Sequence, residues 1–87
     1  MNKEGRSLST LLKEIRKQLA LSQEDLARQL GVSYATVNRW ENGLSKPSKL
    51  ARAQFVGFYK KMIERDKLSL SDDLINSTGL QQDQELT

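Results

Sequence analysis

Apolar residues Leu8, Leu11, Leu12, Ile15 and Leu19 recur at spacings of three and four, which is one stripe of a first helix over about 8–19. Ser7 and Ser9 are its candidate caps, and Leu19-Ala20-Leu21 ends it without a glycine or proline. Leu26, Ala27 and Leu30 mark a second, shorter helix. Ser22 opens it, its hydroxyl able to accept from a backbone amide while Asp25 reaches back as the other half of a capping box, and Gly31 closes it. Only Val32 separates Gly31 from Ser33, a further N-cap candidate, so the second and third helices meet at a sharp corner. The third, from Tyr34 to about Glu41, has Val37 and Trp40 as its large inward residues and stops at Asn42-Gly43. After the turn Leu44–Pro47, Ser48 opens a long fourth helix from Lys49 to about Arg65. Two neighbouring stripes run along it, Ala51, Phe55, Phe58 and Met62 beside Val56, Tyr59 and Ile63, an apolar face wider than a surface helix needs.

Composition narrows what such a chain can do. At 87 residues it has room for one hydrophobic core, and with neither cysteine nor histidine it has no disulfide, no thiol nucleophile and none of the usual zinc ligands. No metal site and no cofactor is expected. An enzyme is a poor reading, because no convergent carboxylate pair, histidine or cysteine supplies a nucleophile or a tuned acid and base. No run of apolar residues is long enough to cross a bilayer, and the aromatic residues of the fourth helix are mixed with Arg52, Lys60, Lys61 and Glu64 rather than set against a clean basic face. The expectation is a soluble, cytoplasmic protein with no membrane role. The net charge of +3 is unevenly placed: all 14 Lys and Arg fall within residues 1–67, while residues 68–87 carry only acidic charge. Hence the chain divides into a basic domain over 1–67 and an acidic, polar C-terminal tail over 68–87 that is partly disordered, although Ser71-Asp72-Asp73-Leu74-Ile75 can form a helical turn or two that docks on the domain.

Two short helices joined by a tight turn, the second with a polar outer face, form an arrangement that suits the DNA major groove, which is about 12 Å wide and admits one α-helix. A basic domain is what a phosphate backbone attracts, through release of condensed counterions. The stretch LSQEDLARQLGVSYATVNRWENGLSKPS, from Leu21 to Ser48, resembles the Cro and phage-repressor type of helix-turn-helix, the xenobiotic-response-element family. The likeness rests on Ser22-Gln23, Ala27, Gly31-Val32-Ser33, Val37, Trp40-Glu41-Asn42-Gly43 and Lys46-Pro47-Ser48, and with the first helix it covers about Leu8 to Ile63. It implies an all-α fold, a lambda-repressor-like bundle of four to five short helices with the helix-turn-helix over about 22–42.

The resemblance further implies that Tyr34, Ala35 and Arg39 project into the major groove with Asn38 at its border. Arg39 is the principal reader by this account, its planar fork matched to guanine O6 and N7, or else a phosphate anchor that only positions the domain. Tyr34 offers a ring for a thymine methyl or a hydroxyl for a phosphate. Gln23, Ser33 and Asn42 are implied phosphate contacts, with Ser33 and Asn42 equally suited to capping, and Lys46 and Arg6 flank the surface as non-specific contacts. Glu41 would repel the backbone unless neutralised, and the family pairs it with Arg16 in a partly buried, structural ion pair between the first and third helices. Trp40 continues the Val37 face and belongs to the core rather than to a stacking platform. Ala35 is small where many relatives carry a longer reader, and Leu44 is apolar where a basic residue is common. DNA shape therefore contributes to recognition by this account, and one phosphate contact is in doubt.

The leading expectation is a transcriptional regulator, most simply a repressor, that binds double-stranded DNA. A single module reads few base pairs, so a homodimer on two half-sites is expected through the helix over 49–65, with Phe55, Phe58, Tyr59 and Met62 supplying the contact. The competing use of that face is to be wrapped by the first helix and the tail. A second class is an antitoxin, or another protein-interaction module, in which the basic domain holds DNA and the acidic tail folds onto a protein partner.

Overall fold

The computed structural model describes residues 3–79, with side chains from Leu8 onward. The expectations placed on the Arg6 side chain and on residues 80–87 fall outside those described residues. Five helices follow in order and no strand occurs among the described residues: α1 (Lys3–Leu19), α2 (Gln23–Leu30), α3 (Tyr34–Glu41), α4 (Lys49–Glu64) and α5 (Asp72–Thr78). α1 packs against α3 and α5, and α2 against α3 and α4. The four apolar stripes read from the sequence converge on one core built from Leu8, Leu11, Leu12, Ile15, Leu26, Ala27, Leu30, Val37, Trp40, Phe55, Val56 and Tyr59. Leu68 and Ile75 complete it from the C-terminal side.

Each helix from α2 onward begins on a serine whose hydroxyl accepts from the third amide along, Ser22 from Asp25, Ser33 from Thr36, Ser48 from Ala51 and Ser71 from Leu74. These oxygens satisfy amides that an α-helix leaves unpaired in its first turn. At α2 the box is reciprocal, with Asp25 N to Ser22 Oγ at 3.0 Å and Ser22 N to Asp25 Oδ2 at 3.2 Å. The Ser22 backbone amide, then its hydroxyl, stabilise the charged form and hold the Asp25 carboxyl below its ordinary value. Helix ends use the left-handed region: Gly31 at φ 71° ends α2, and Gly43 at φ 71° turns the chain after α3. Two non-glycine residues do the same, Ala20 at φ 56° after α1 and Asp66 at φ 61° after α4.

Three expectations are corrected. α1 begins at Lys3, so Ser7 and Ser9 lie inside the helix rather than at its cap, and the Ser9 hydroxyl donates across to the Glu41 carbonyl. The boundary at residue 67 does not separate a domain from a tail, since Leu68 and Ile75 are 5% and 7% exposed within the same core and α5 lies on α1. Finally, Phe55 and Tyr59 are 1% and 0% exposed, with their rings edge to face at 5.5 Å, so neither is free to contact a second copy. The width of the α4 face is explained within the chain: Phe55, Val56 and Tyr59, drawn from both stripes, are core, while Ala51, Phe58 and Met62 pack half-buried against it.

Candidate nucleic-acid interface

α3 is short and divides cleanly by helical phase. At about 100° per residue, Tyr34, Asn38, Asn42, Ala35 and Arg39 fall within an arc of about 140°. Val37 and Trp40 point the other way, Glu41 lies at the border of the arc beside Tyr34, and all three are buried. Tyr34 is 51% exposed, and Ala35 and Arg39 are exposed beside it. Among the described residues the Arg39 guanidinium makes no hydrogen bond or ion pair, so its donors face outward. The inner side is fixed by Val37 and Trp40, 0% and 3% exposed, which seat α3 in the core and leave the outer edge uncovered. Trp40 is thus a packing residue.

The corner that presents this edge is built locally. The amide of Gly31 donates to Arg28 O, and that of Val32 donates to Ala27 O at 3.0 Å, wrapping the end of α2 before Ser33 starts α3. Ser33 Oγ receives the Thr36 amide at 3.1 Å and lies 2.9 Å from the Thr36 hydroxyl, so its cap role is in use. At the other end of α3 the amides of Gly43 and Leu44 donate to Trp40 O and Arg39 O.

A polar network ties α1, α2 and α3 together beneath the exposed edge. The Arg16 guanidinium donates to both Glu41 oxygens, Nε to Oε2 at 2.7 Å and NH2 to Oε1 at 2.9 Å, and its NH1 reaches Leu21 O at 3.3 Å. Glu41 is 3% exposed, so its charge is matched in place by the bidentate pair. Burial pushes the Glu41 carboxyl upward, but hydrogen bonds from Arg16 and Gln23, with the nearby charges of Arg16 and Lys13, outweigh it and hold the group below its ordinary value. The same hydrogen bond raises the Arg16 guanidinium.

Gln23 joins this pair to the exposed edge of α3, an arrangement that sequence spacing does not disclose. Its Nε2 donates to Glu41 Oε1 at 3.0 Å, and its Oε1 accepts from Asn38 Nδ2 at 3.2 Å. Asn38 Oδ1 in turn accepts from Asn42 Nδ2 at 3.1 Å. A carboxylate only accepts, so Gln23 must turn its amide nitrogen toward Glu41 and its oxygen toward Asn38, and the same logic orients Asn38 and Asn42. The row then has one N–H on each amide nitrogen left over, which are donors suited to an acceptor such as a phosphate oxygen. Gln23, Asn38 and Asn42 therefore form one connected group, with Ser33 at the opposite end of α3. Lys46 is exposed in the segment between α3 and α4, where Leu44 is 73% exposed.

With this geometry in view, comparison with known proteins places the chain. A helix-turn-helix family model matches residues 12–50, from within α1 to the start of α4. A protein of Methanothermobacter thermautotrophicus named as an uncharacterized HTH-type transcriptional regulator is 41% identical over 51 residues, covering 53% of this chain and 74% of that protein. No solved structure matches. The chain belongs to the helix-turn-helix family of the Cro and phage-repressor type, the xenobiotic-response-element family.

Proposed function

We propose that this protein is a cytoplasmic, sequence-specific DNA-binding regulator of transcription, most simply a repressor, that inserts the outer edge of α3 into the major groove. The observation that carries the reading is the division of α3, with Val37 and Trp40 locked in the core while Tyr34, Ala35 and Arg39 stand exposed on one arc. Membership in the helix-turn-helix family supports it, as does the naming of the archaeal relative as a transcriptional regulator. Arg39 is the main base reader in this account, with Tyr34 and Ala35 beside it. Asn38 sits at the border of the groove, and Gln23, Ser33, Asn42 and Lys46 contact the phosphate backbone. The Arg16–Glu41 pair keeps an acidic group at the DNA face from acting as a free negative charge.

Selection of bound sites from a random duplex pool tests the reading. Arg39→Ala should relax preference at one base step per half-site, a loss of about 1–3 kcal/mol of discrimination. Gln23→Ala should weaken all sequences alike with the salt slope unchanged, because a neutral amide releases no counterion, whereas Lys46→Ala should lower that slope by about one. Absence of salt-sensitive retention by the wild-type chain would refute it.

Recognition of two half-sites calls for two copies, and α4 has Leu50 and Ile63, 70% and 37% exposed, rather than Phe55 and Tyr59, to contribute to such a contact. Sedimentation with and without a two-half-site duplex measures that stoichiometry. Repression itself is read with a reporter whose operator overlaps the promoter.

A further inference from the structure

A second concave surface lies away from the α3 edge. Between the last turn of α2 and the outer side of α4 is a groove of about 530 Å³, bordered by Arg28, Gln54, Gly57, Phe58, Lys61 and Arg65 among others. Past Phe58 and Met62 it continues into a recess of about 210 Å³ reached by Leu19, Leu21 and Lys67. Phe58 and Met62 line both, and each packs against the core on one side while forming the floor on the other. Among the described residues, every charged side chain bordering the groove and recess is a cation: Arg28, Lys61, Arg65 and Lys67. No residue of α3 borders either space.

Gly57 gives a separate reason to regard the groove as a contact surface. It lies in the interior of α4, where glycine is the poorest helix former after proline. Its backbone does not require glycine, since its φ is not positive, and a Cβ built there meets nothing within 4 Å. Among the described residues, neither a turn nor a close neighbour accounts for it. What the absent side chain does is leave the α4 backbone bare on the groove wall, where another backbone can approach closely.

We infer that this groove docks an acidic amphipathic helix of another protein, with aliphatic side chains on Phe58 and Met62, the helix crossing α4 at Gly57, and carboxylates facing Arg28, Lys61, Arg65 and Lys67. Helix-in-groove recognition needs an apolar floor and complementary rims, and both are present. A two-fold pairing with a second copy would set these same cations against one another. A nucleic-acid backbone would satisfy the cations and leave Phe58 and Met62 unused.

The test does not depend on DNA binding. The full chain, labelled with ¹⁵N, is titrated with a synthetic helical peptide of about sixteen residues, long enough for a stable turn pattern, carrying leucines at i, i+4, i+7 and i+11 and glutamates on the flanks. Saturable amide shifts confined to Gln29, Gly57, Phe58 and Met62 and their neighbours are expected. Affinity should fall at least about tenfold when the glutamates are replaced by glutamine, and likewise with Lys61→Glu/Arg65→Glu, through loss of charge complementarity. Gly57→Leu should abolish the shifts by filling the groove, while its thermal midpoint stays level or rises by a few degrees as helix propensity improves. If Gly57→Leu unfolds instead, Gly57→Ala, which projects one methyl into the same space, should fold and weaken the peptide. The inference is overturned if the peptide shifts no groove residue, if polyglutamate binds as well as the peptide, if Gly57→Leu folds and still binds, if a DNA duplex gives the same shifts at these residues, or if the groove proves to be closed by self-association.

Discussion

The α2–α3 corner and the C-terminal part of the molecule are held by different forces. At the corner, α3 has only Val37 and Trp40 as large apolar anchors, and its orientation is completed by a charged and amide network running from Arg16 through Glu41 and Gln23 to Asn38. Behind it, α4, the α4–α5 connection and α5 bring the larger apolar set, Phe55, Val56, Tyr59, Leu68 and Ile75, into the core. Apolar burial scales with area and tolerates small displacements, whereas a bidentate pair and its amide neighbours accept one geometry. The edge proposed to meet base positions is thus fixed by directional bonds, while the elements behind it need only remain packed.

The sharpest way to break this contrast is Arg16→Met, which strands Glu41 as a buried, unmatched carboxylate. We expect a loss of about 3 kcal/mol near neutral pH, measured by urea unfolding, with much of it recovered in Arg16→Met/Glu41→Leu. In the wild type the Glu41 carboxyl is depressed, so its stabilising contribution is complete above its unfolded value and declines as pH falls through its folded value. Without Arg16 the carboxylate loses its charge partner and stays buried, so the defect should shrink as acid neutralises it. A penalty that stayed constant down to about pH 3, below the ordinary carboxylate range, would count against the electrostatic account.

Next in size is Ile75→Ala, which removes the buried anchor of α5 and should cost about 2 kcal/mol by the same assay. A negligible change would mean that α5 contributes nothing to the core. Ser22→Ala removes the capping-box hydroxyl and should cost about 1 kcal/mol. With the Asp25 carboxyl held low in the folded chain, the effect of this cap also fades as pH falls through the folded value. The smallest effect is a gain: Ala20→Gly relieves a non-glycine residue at φ 56° and should raise stability by about 0.5 kcal/mol, seen as a higher thermal midpoint.

The fold was largely legible because its signals are local. Period-three-and-four stripes, serines placed to cap and glycines placed to stop marked α2, α3 and α4 to within about two residues. The start of α1 is not legible because its first turn lacks the apolar stripe, and Ser9 resembles a cap because its partner, the Glu41 carbonyl, lies far along the chain. For α5, Ile75 stands in a polar stretch, and the partner of that helix, α1, is distant in sequence. The wide α4 face suggested an intermolecular contact because a sequence shows how much apolar surface exists and not which neighbour covers it. At the candidate interface, the exposure of Tyr34, Ala35 and Arg39 follows from helical phase alone. The link from Gln23 to Glu41 and Asn38 does not, because amide-to-carboxylate bonds between separate helices leave no periodic trace.

Gln18 fastens the two ends of this architecture together. Its side-chain amide donates to Ser69 O and accepts from Ser69 N, both at 2.8 Å, so one glutamine of α1 satisfies both main-chain groups of a residue in the α4–α5 connection. α1 thus waits for a segment that follows α4 in the chain, so α2 and α3 can meet while the back of α1 is still open to solvent.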